Sequence, residues 1–572
     1  DLHHGGARRE HGRHERLGEC GVCAGRLCHL LDPGVRLRDR PAATSAACRA
    51  RTSHQGKRLA APTDPAPVSH SPLPLAYERE TPGFALAAFL LSLAVRVPTL
   101  GRQSLWYDEI LTANVVASGW SDLVADRLAR GHFPTYFLFL KALGLGGASE
   151  TMLRLPSALF MSLAAAIMTV LALRLGGRIA ALSTLILFAF VPALVYYGQE
   201  ARPYAMLLFF LAIATTALVS IIQQRPGSGR SALVATAGTI GAALAVPAGI
   251  VSVLLMHLSL PLAGAFGLPP ERRRALRWHV AATWIVIGCA ALLLIQGVRT
   301  VAHEPGGLMK WQYATGPAAR IAEAWGETYG FAIRPDIDRF LPSGWEVVPS
   351  LVFCALVLAA IMMRWRDPAV RLLAGSAVGT PLVFMVLGVF TATSGRYMLG
   401  MLPPAIVLAG IGAGELLRLT GPGSRALRAA LGALAAAAAL MLGLQGLDAT
   451  QSETRFDWRS IGRFLAEHQI RDVEILTNNG VAPVSVGYYL PPGQAIRWRV
   501  ANPPFEPIET LWPAARASDP AMLLLFFRGG AVPDEVVAGR SVCRFPFGPA
   551  DLVILTRDPA NLPAPLRGCA GD

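Results

Sequence analysis

Apolar runs near the length a helix needs to cross a bilayer, roughly 20 residues, recur along most of this chain. They cover approximately 83–100, 155–173, 178–196, 204–222, 231–248, 249–267, 278–296, 347–363, 371–391, 397–416 and 427–445. Several connectors between them are basic: Glu271-Arg272-Arg273-Arg274, Arg364-Trp365-Arg366 and the stretch from Arg418 to Arg428. The positive-inside rule places such connectors in the cytoplasm. Counting outward puts Arg174-Leu175-Gly176-Gly177-Arg178 and the stretch from Arg225 to Arg230 inside as well. Residues 101–154, 197–203, 297–346, 392–396 and 446–572 then lie outside. The pattern predicts a polytopic α-helical membrane protein of about 11 transmembrane helices, with its N-terminus inside and its C-terminus outside.

One apolar stretch, 133–145, is short. As a span it would invert every later connector, so it reads as a juxtamembrane or re-entrant helix on the outer face. The outer loop 101–154 is then long and partly structured. After residue 446 the pattern changes. Asp457-Trp458-Arg459-Ser460-Ile461-Gly462-Arg463-Phe464-Leu465 has helical spacing, and 473–476, 521–527 and 552–555 read as short buried strands between turn signals. The expected division is 1–80 as a disordered extension, 81–446 as the transmembrane domain, and 447–572 as a small extracytoplasmic α/β domain.

Composition supports the membrane reading. The chain has 572 residues, of which 53% are hydrophobic and only 16% charged, against about 25% charged in soluble domains. Its mean hydropathy is +0.43. The net charge of +14 is almost all arginine, since Lys57, Lys141 and Lys310 are the lysines. Excess basic charge can signal nucleic acid. Here the arginines cluster in connectors, as topology determinants and phosphate partners, and no nucleic-acid partner is expected. Cys289 and Cys354 fall inside spans as small core residues. Cys543 and Cys569 could form a disulfide if their region is extracytoplasmic. Cys20-x-x-Cys23 near His29 has the form of half a zinc site, and no second half follows at finger spacing. The chain does not begin with Met, and residues 1–80 are expected to be disordered or translated upstream sequence. Abundant Ala, Gly and Arg with almost no Lys suggest a high-GC bacterial genome, and the expected location is a bacterial cytoplasmic (inner) membrane.

The topology gathers the polar features on the outer face. Asp108 and Glu109 follow the first run in Ser104-Leu105-Trp106-Tyr107-Asp108-Glu109. Glu200 and Arg202 lie between two spans, and His132 and Arg396-Tyr397 share the same side. Ionisable groups at membrane depth are functional candidates because burying them is expensive. Each has a structural alternative. Asp108 and Glu109 could be solvated loop acids, Glu200 and Arg202 an ion bridge, Arg396 an interface anchor, and His132 an interfacial residue.

Four motifs carry a resemblance. They are Leu105-Trp106-Tyr107-Asp108-Glu109, His132-Phe133-Pro134-Thr135-Tyr136, Arg154-Leu155-Pro156-Ser157-Ala158-Leu159, and Tyr196-Tyr197-Gly198-Gln199-Glu200-Ala201-Arg202-Pro203-Tyr204. In this order and spacing they resemble the bacterial GT-C membrane glycosyltransferases, relatives of the protein O-mannosyltransferases and of the lipid A aminoarabinose transferase. Arg396-Tyr397 before Leu402-Pro403-Pro404, and Asp457-Trp458-Arg459, also fit. The resemblance covers roughly residues 83–470. It is specific for the superfamily and not for a substrate.

The resemblance implies the GT-C fold and an inverting transfer of a monosaccharide from a polyprenyl-phosphate donor to an extracytoplasmic acceptor. It makes Asp108 the base that deprotonates the acceptor hydroxyl, with Glu109 beside it. His132, Arg202, Arg396 and Tyr397 are the candidates for the departing lipid phosphate. Glu200, Tyr197 and Trp311 are candidates for the acceptor or the sugar. Trp311 lies in the outer loop 297–346, which could instead be a plain connector with interfacial aromatics. The chain departs from its relatives in offering His132 and Phe133 where some have a lysine, in lacking an Arg close after Glu109, and in Pro203. No cofactor is expected to be required, although Asp108, Glu109 and Glu200 leave a divalent metal open. The competing reading is a transporter or flippase for a lipid-linked or anionic substrate. That class places its charges near the bilayer midplane, often in repeated halves, whereas these spans are nearly free of charge. A non-catalytic envelope scaffold is a third reading.

Overall fold

In a bilayer the backbone must satisfy its own hydrogen bonds, and a helix does so within one segment. The computed structural model describes residues 75–303, 347–386, 396, 398–419, 424, 426 and, with short interruptions, 456–571. Its first part is helical. The helices are α1 (Leu75–Arg96), α2 (Tyr107–Ala117), α3 (Trp120–Ala129), α4 (Thr135–Ala142), α5 (Glu150–Gly176), α6 (Arg178–Phe190), α7 (Pro192–Gly198) and α8 (Tyr204–Ile222). They continue with α9 (Ser228–Ala245), α10 (Ala248–Leu262), α11 (Pro270–His303), α12 (Val347–Arg364), α13 (Pro368–Val386) and α14 (Leu402–Leu419). Ten of the eleven expected spans contain a helix, and the eleventh, 427–445, lies outside the described residues.

Among the described residues, five helices are long and apolar enough to cross a membrane, or six if α6 and α7, bent by 56°, form one span. The hydropathy pattern reads 231–248 and 249–267 as full spans. Pro247 cuts that run, and the resulting helices have 18 and 15 residues. Three boundaries also move. α1 begins at Leu75, so residues 75–80 are helical and not part of a disordered extension. α5 begins at Glu150, where Ser149 caps it, so the outer loop ends before 154. α11 stays helical to His303, so the loop expected from 297 starts later. The loop between α1 and α5 holds α2, α3 and α4. At eight residues α4 is about 12 Å long, too short to cross a membrane.

Close crossings are made by glycine. A Cβ at Gly238 of α9 would lie 2.8 Å from Ala214 N and 2.9 Å from Phe210 O of α8. The bend between α6 and α7 has its own partner. Pro192 has no N–H for the Phe188 carbonyl, which would otherwise end the helix unpaired. Arg96, fully buried at the end of α1, donates to that carbonyl at 2.9 Å. It also reaches Leu194 O at 3.3 Å and the Ser92 carbonyl and hydroxyl at 2.7 Å each.

The tail forms α15 (Trp458–Glu467), β1 (Glu474–Thr477), α16 (Ala482–Tyr489), β2 (Arg497–Val500), α17 (Leu511–Ala517), β3 (Met522–Phe527), α18 (Asp534–Val537), β4 (Ser541–Phe547) and β5 (Ala550–Thr556). The strands make one five-stranded sheet in the order β2-β1-β3-β5-β4. β1 runs parallel to β2 and β3, while β5 is antiparallel to β3 and β4. The three central strands are the apolar runs visible in the sequence. The edge β2 alternates exposed and half-buried positions, β4 alternates exposed positions with half-buried ones and the buried Cys543, and both escape that signal. Cys543 is disulfide-bonded; the Cys569 side chain lies outside the described residues.

Candidate active site

The N-terminus of α2 presents two acids in opposite settings. Glu109, at the third helical position, is completely buried. Its carboxylate accepts from its own helix start at Trp106 N (3.3 Å), which is half of a capping box. It also accepts from Ala201 N (2.9 Å) and, in a fork, from Arg154 Nε (2.8 Å) and Nη2 (2.6 Å). Arg154 lies one turn into α5. Its other N–H groups go to the carbonyls of Leu100 (2.6 Å), Gln103 (2.8 Å) and Ser104 (3.0 Å). All five guanidinium donors are thus satisfied in a buried site. A buried ion pair is tolerable only with such geometry. The pair joins α2, α5 and the 199–203 turn in one clamp.

Asp108 faces the other way, into a cleft of basic groups, and its side chain is 22% exposed. Its Oδ2 lies 3.5 Å from Arg202 Nη2 and 3.4 Å from Arg396 Nη1. Arg202 Nη1 also reaches the Asp108 carbonyl at 3.5 Å. Arg202 is buried, and its Nε has no hydrogen-bond partner among the described residues. Burial alone would lower its pKa, yet the Asp108 carboxylate holds it above the usual arginine value. His132 precedes α4 and lies within reach of the charges of Arg202, Arg127, Asp108 and Arg396. Burial, with Arg202 and Arg127 beside it, pushes its pKa down to about 4, so the ring is neutral at pH 7. Below this cluster, Tyr136 of α4 shares a 2.8 Å hydrogen bond with Ser157 of α5, and Ser157 Oγ donates to Arg202 O at 3.3 Å. Tyr197 packs edge-on against Tyr196 and Tyr204, with centroids 5.1 and 5.2 Å apart, and the buried Glu200 acts electrostatically on it.

Residues 123–296, which span α3 to α11, match the family described as dolichyl-phosphate-mannose-protein mannosyltransferase. The fold is similar to the crystal structure of ArnT from Cupriavidus metallidurans in the apo state. The TM-score is 0.50 and the identity 15%, over 83% of this chain and 98% of that one. The chain has the GT-C fold seen in ArnT. ArnT from Cupriavidus metallidurans bound to undecaprenyl phosphate matches at TM-score 0.47 and 14% identity, over 82% of this chain and 98% of that one. The arabinofuranosyltransferase AftD from Mycobacteria gives 0.46 and 14%, over 84% of this chain and 40% of that one. No curated protein matches the sequence.

The structure brings Asp108, Arg202 and Arg396 into contact, with His132, Glu200 and Tyr197 around them. Glu109 is turned away into the Arg154 clamp. Trp311 and Tyr397 lie outside the described residues. The ion partner of Arg202 is Asp108, while Glu200 offers Arg202 N its main-chain carbonyl at 2.8 Å. Two arginines were missed as site residues. One is Arg154. The other is Arg127 of α3, which is buried, bonded to Asp126 and placed 4.9 Å over the Phe137 ring. Among the described residues no three His, Cys, Asp or Glu side chains are grouped to hold a metal ion.

Proposed function

We propose that this protein is a glycosyltransferase that moves a monosaccharide from a polyprenyl phosphate to an acceptor hydroxyl on the outer face of a bacterial cytoplasmic membrane, with inversion. The observation that carries the reading is the Asp108 carboxylate, half-open at a helix start and flanked by Arg202 and Arg396 at 3.5 and 3.4 Å. An acid beside two cations suits a reaction in which a proton and a phosphate must be handled together. As the acceptor oxygen attacks the anomeric carbon, its proton passes to Asp108. The bond from the sugar to the phosphate oxygen breaks on the opposite face, and the electron pair leaves with the lipid phosphate. Arg202 and Arg396 take up that charge, and Arg202 Nε offers a further donor. His132, neutral, serves as a hydrogen-bond donor and not as a cation. Glu109 and Arg154 hold the helix start and touch no substrate. Glu200 and Tyr197 stand on the sugar and acceptor side.

The description of the matching family names a polyprenyl-phosphate sugar donor, a dolichyl phosphate carrying mannose, which supports the donor class. The acceptor is an envelope glycan, a lipid or a protein. The chemistry needs no metal ion in this reading. The test is transfer from a panel of labelled polyprenyl-phosphate monosaccharides, with and without a chelator. Wild type is expected to empty one donor in both conditions. Asp108→Asn should lose about a hundredfold or more while still binding undecaprenyl phosphate. Donor carried across the membrane without transfer would favour the transporter instead.

A further inference from the structure

The segment 101–106 joins α1 to the helix that carries Asp108, and it is held from two sides. Arg154 takes carbonyls from the side of α5. The C-terminal part takes the others. Arg459 Nη1 donates to Gly101 O at 3.3 Å and Nη2 to Arg102 O at 2.8 Å. Ser104 Oγ donates to Phe456 O at 3.1 Å. Leu105 N donates to the Tyr489 hydroxyl at 2.7 Å, and that hydroxyl donates to Glu150 Oε1 at 3.2 Å. Glu150, the first residue of α5, also pairs with Arg459 at 3.3 Å. The phenol therefore closes on the backbone three residues before Asp108, the guanidinium closes on it at Gly101 and Arg102, and the Glu150 carboxylate ties the two together.

Tyr489 and Arg459 are held in place by the tail itself. Gly462 of α15 makes room for Tyr489, since a Cβ there would lie 2.7 Å from Tyr489 Cβ. Phe456 stacks on Trp458 at 4.8 Å, and Trp458 packs on Phe526 of β3 at 5.7 Å. The Asp457-Trp458-Arg459 motif thus has a physical role: Asp457 caps α15 through Ser460 N, Trp458 anchors it to the sheet, and Arg459 reaches the loop.

We propose that Tyr489 and Arg459 are positioning residues, through which the C-terminal α/β part sets the start of α2 and with it the place of Asp108. The proposal rests on Asp108 being the base. A reacting group displaced by about 1 Å can lose about a hundredfold in rate. Loss of one hydroxyl at Leu105 N is therefore expected to appear in turnover and not in donor binding.

The test uses the full chain and Tyr489→Phe, which keeps the ring. Single-turnover transfer should fall about ten- to a hundredfold, with undecaprenyl phosphate binding unchanged and faster hydrogen exchange at amides 104–109. On an Asp108→Asn background the same change should remove nothing further, because Tyr489 acts through Asp108. Arg459→Gln should repeat the pattern. Wild-type transfer in both variants, or an additional loss on the Asp108→Asn background, overturns the proposal. If wild type transfers no sugar from any polyprenyl phosphate, the functional reading has failed. The exchange data then still decide the link, and unchanged exchange at 104–109 in Tyr489→Phe overturns it.

Discussion

Consecutive residues in a helix point about 100° apart, so at the first turn of α2 Asp108 and Glu109 face different partners. The sequence shows an acidic pair and cannot say which member turns inward. The missing information is Arg154, 45 positions away along the chain. A signal was present, because an arginine in an apolar helix demands a carboxylate, and Glu109 is buried to meet it. Removing one member of a buried ion pair typically costs about 3–5 kcal/mol. Arg154→Ala should therefore lower thermal stability steeply, whereas Asp108→Asn should hardly change it, as calorimetry or a melting assay would read. His132 gives a pH prediction. Its folded pKa of about 4 lies below its ordinary 6.5, so the unfolded chain binds more protons between those values. The stability tied to a neutral His132 is complete above about pH 6.5 and is lost as pH falls toward 4. His132→Gln should lose less stability than wild type across that window, and equal loss would contradict a buried neutral ring.

Elements were legible where one physical rule dominates. Long apolar runs had to be helical, and β1, β3 and β5 had to be central strands. The edge strands β2 and β4 and the short α16 lack such a rule, because their pattern is set by neighbours in the sheet. The break between α6 and α7 could be suspected from Pro192, but its partner could not. Arg96 meets the Phe188 carbonyl only because α1 ends beside it, with Gly198 giving it space. A Cβ at Gly198 would lie 2.6 Å from Arg96 Nε and 2.9 Å from its Cδ. Gly198→Ala should displace a fully buried guanidinium and destabilise the fold by about 1–3 kcal/mol, seen as a lower melting temperature. An unchanged melt would mean that the bend does not depend on Arg96.

Over the whole molecule, the hydropathy pattern places the outer loop and the tail on one face but says nothing of how they touch. The contacts are made by hydroxyls, carbonyls and a guanidinium, groups that leave no periodic trace. They are also among the most distant in the chain. Leu105 and Tyr489 are 384 positions apart, and Ser104 and Phe456 are 352 apart. Contacts so remote form late, since the intervening chain must first be ordered. During synthesis, α1 and α2 are made long before residue 489 exists. The loop bearing Asp108 therefore waits, unfinished, through the insertion of every later helix. The segment that carries Arg459 and Tyr489 completes a loop made much earlier, and a chain stopped before residue 456 carries an acid whose backbone is held from the α5 side alone.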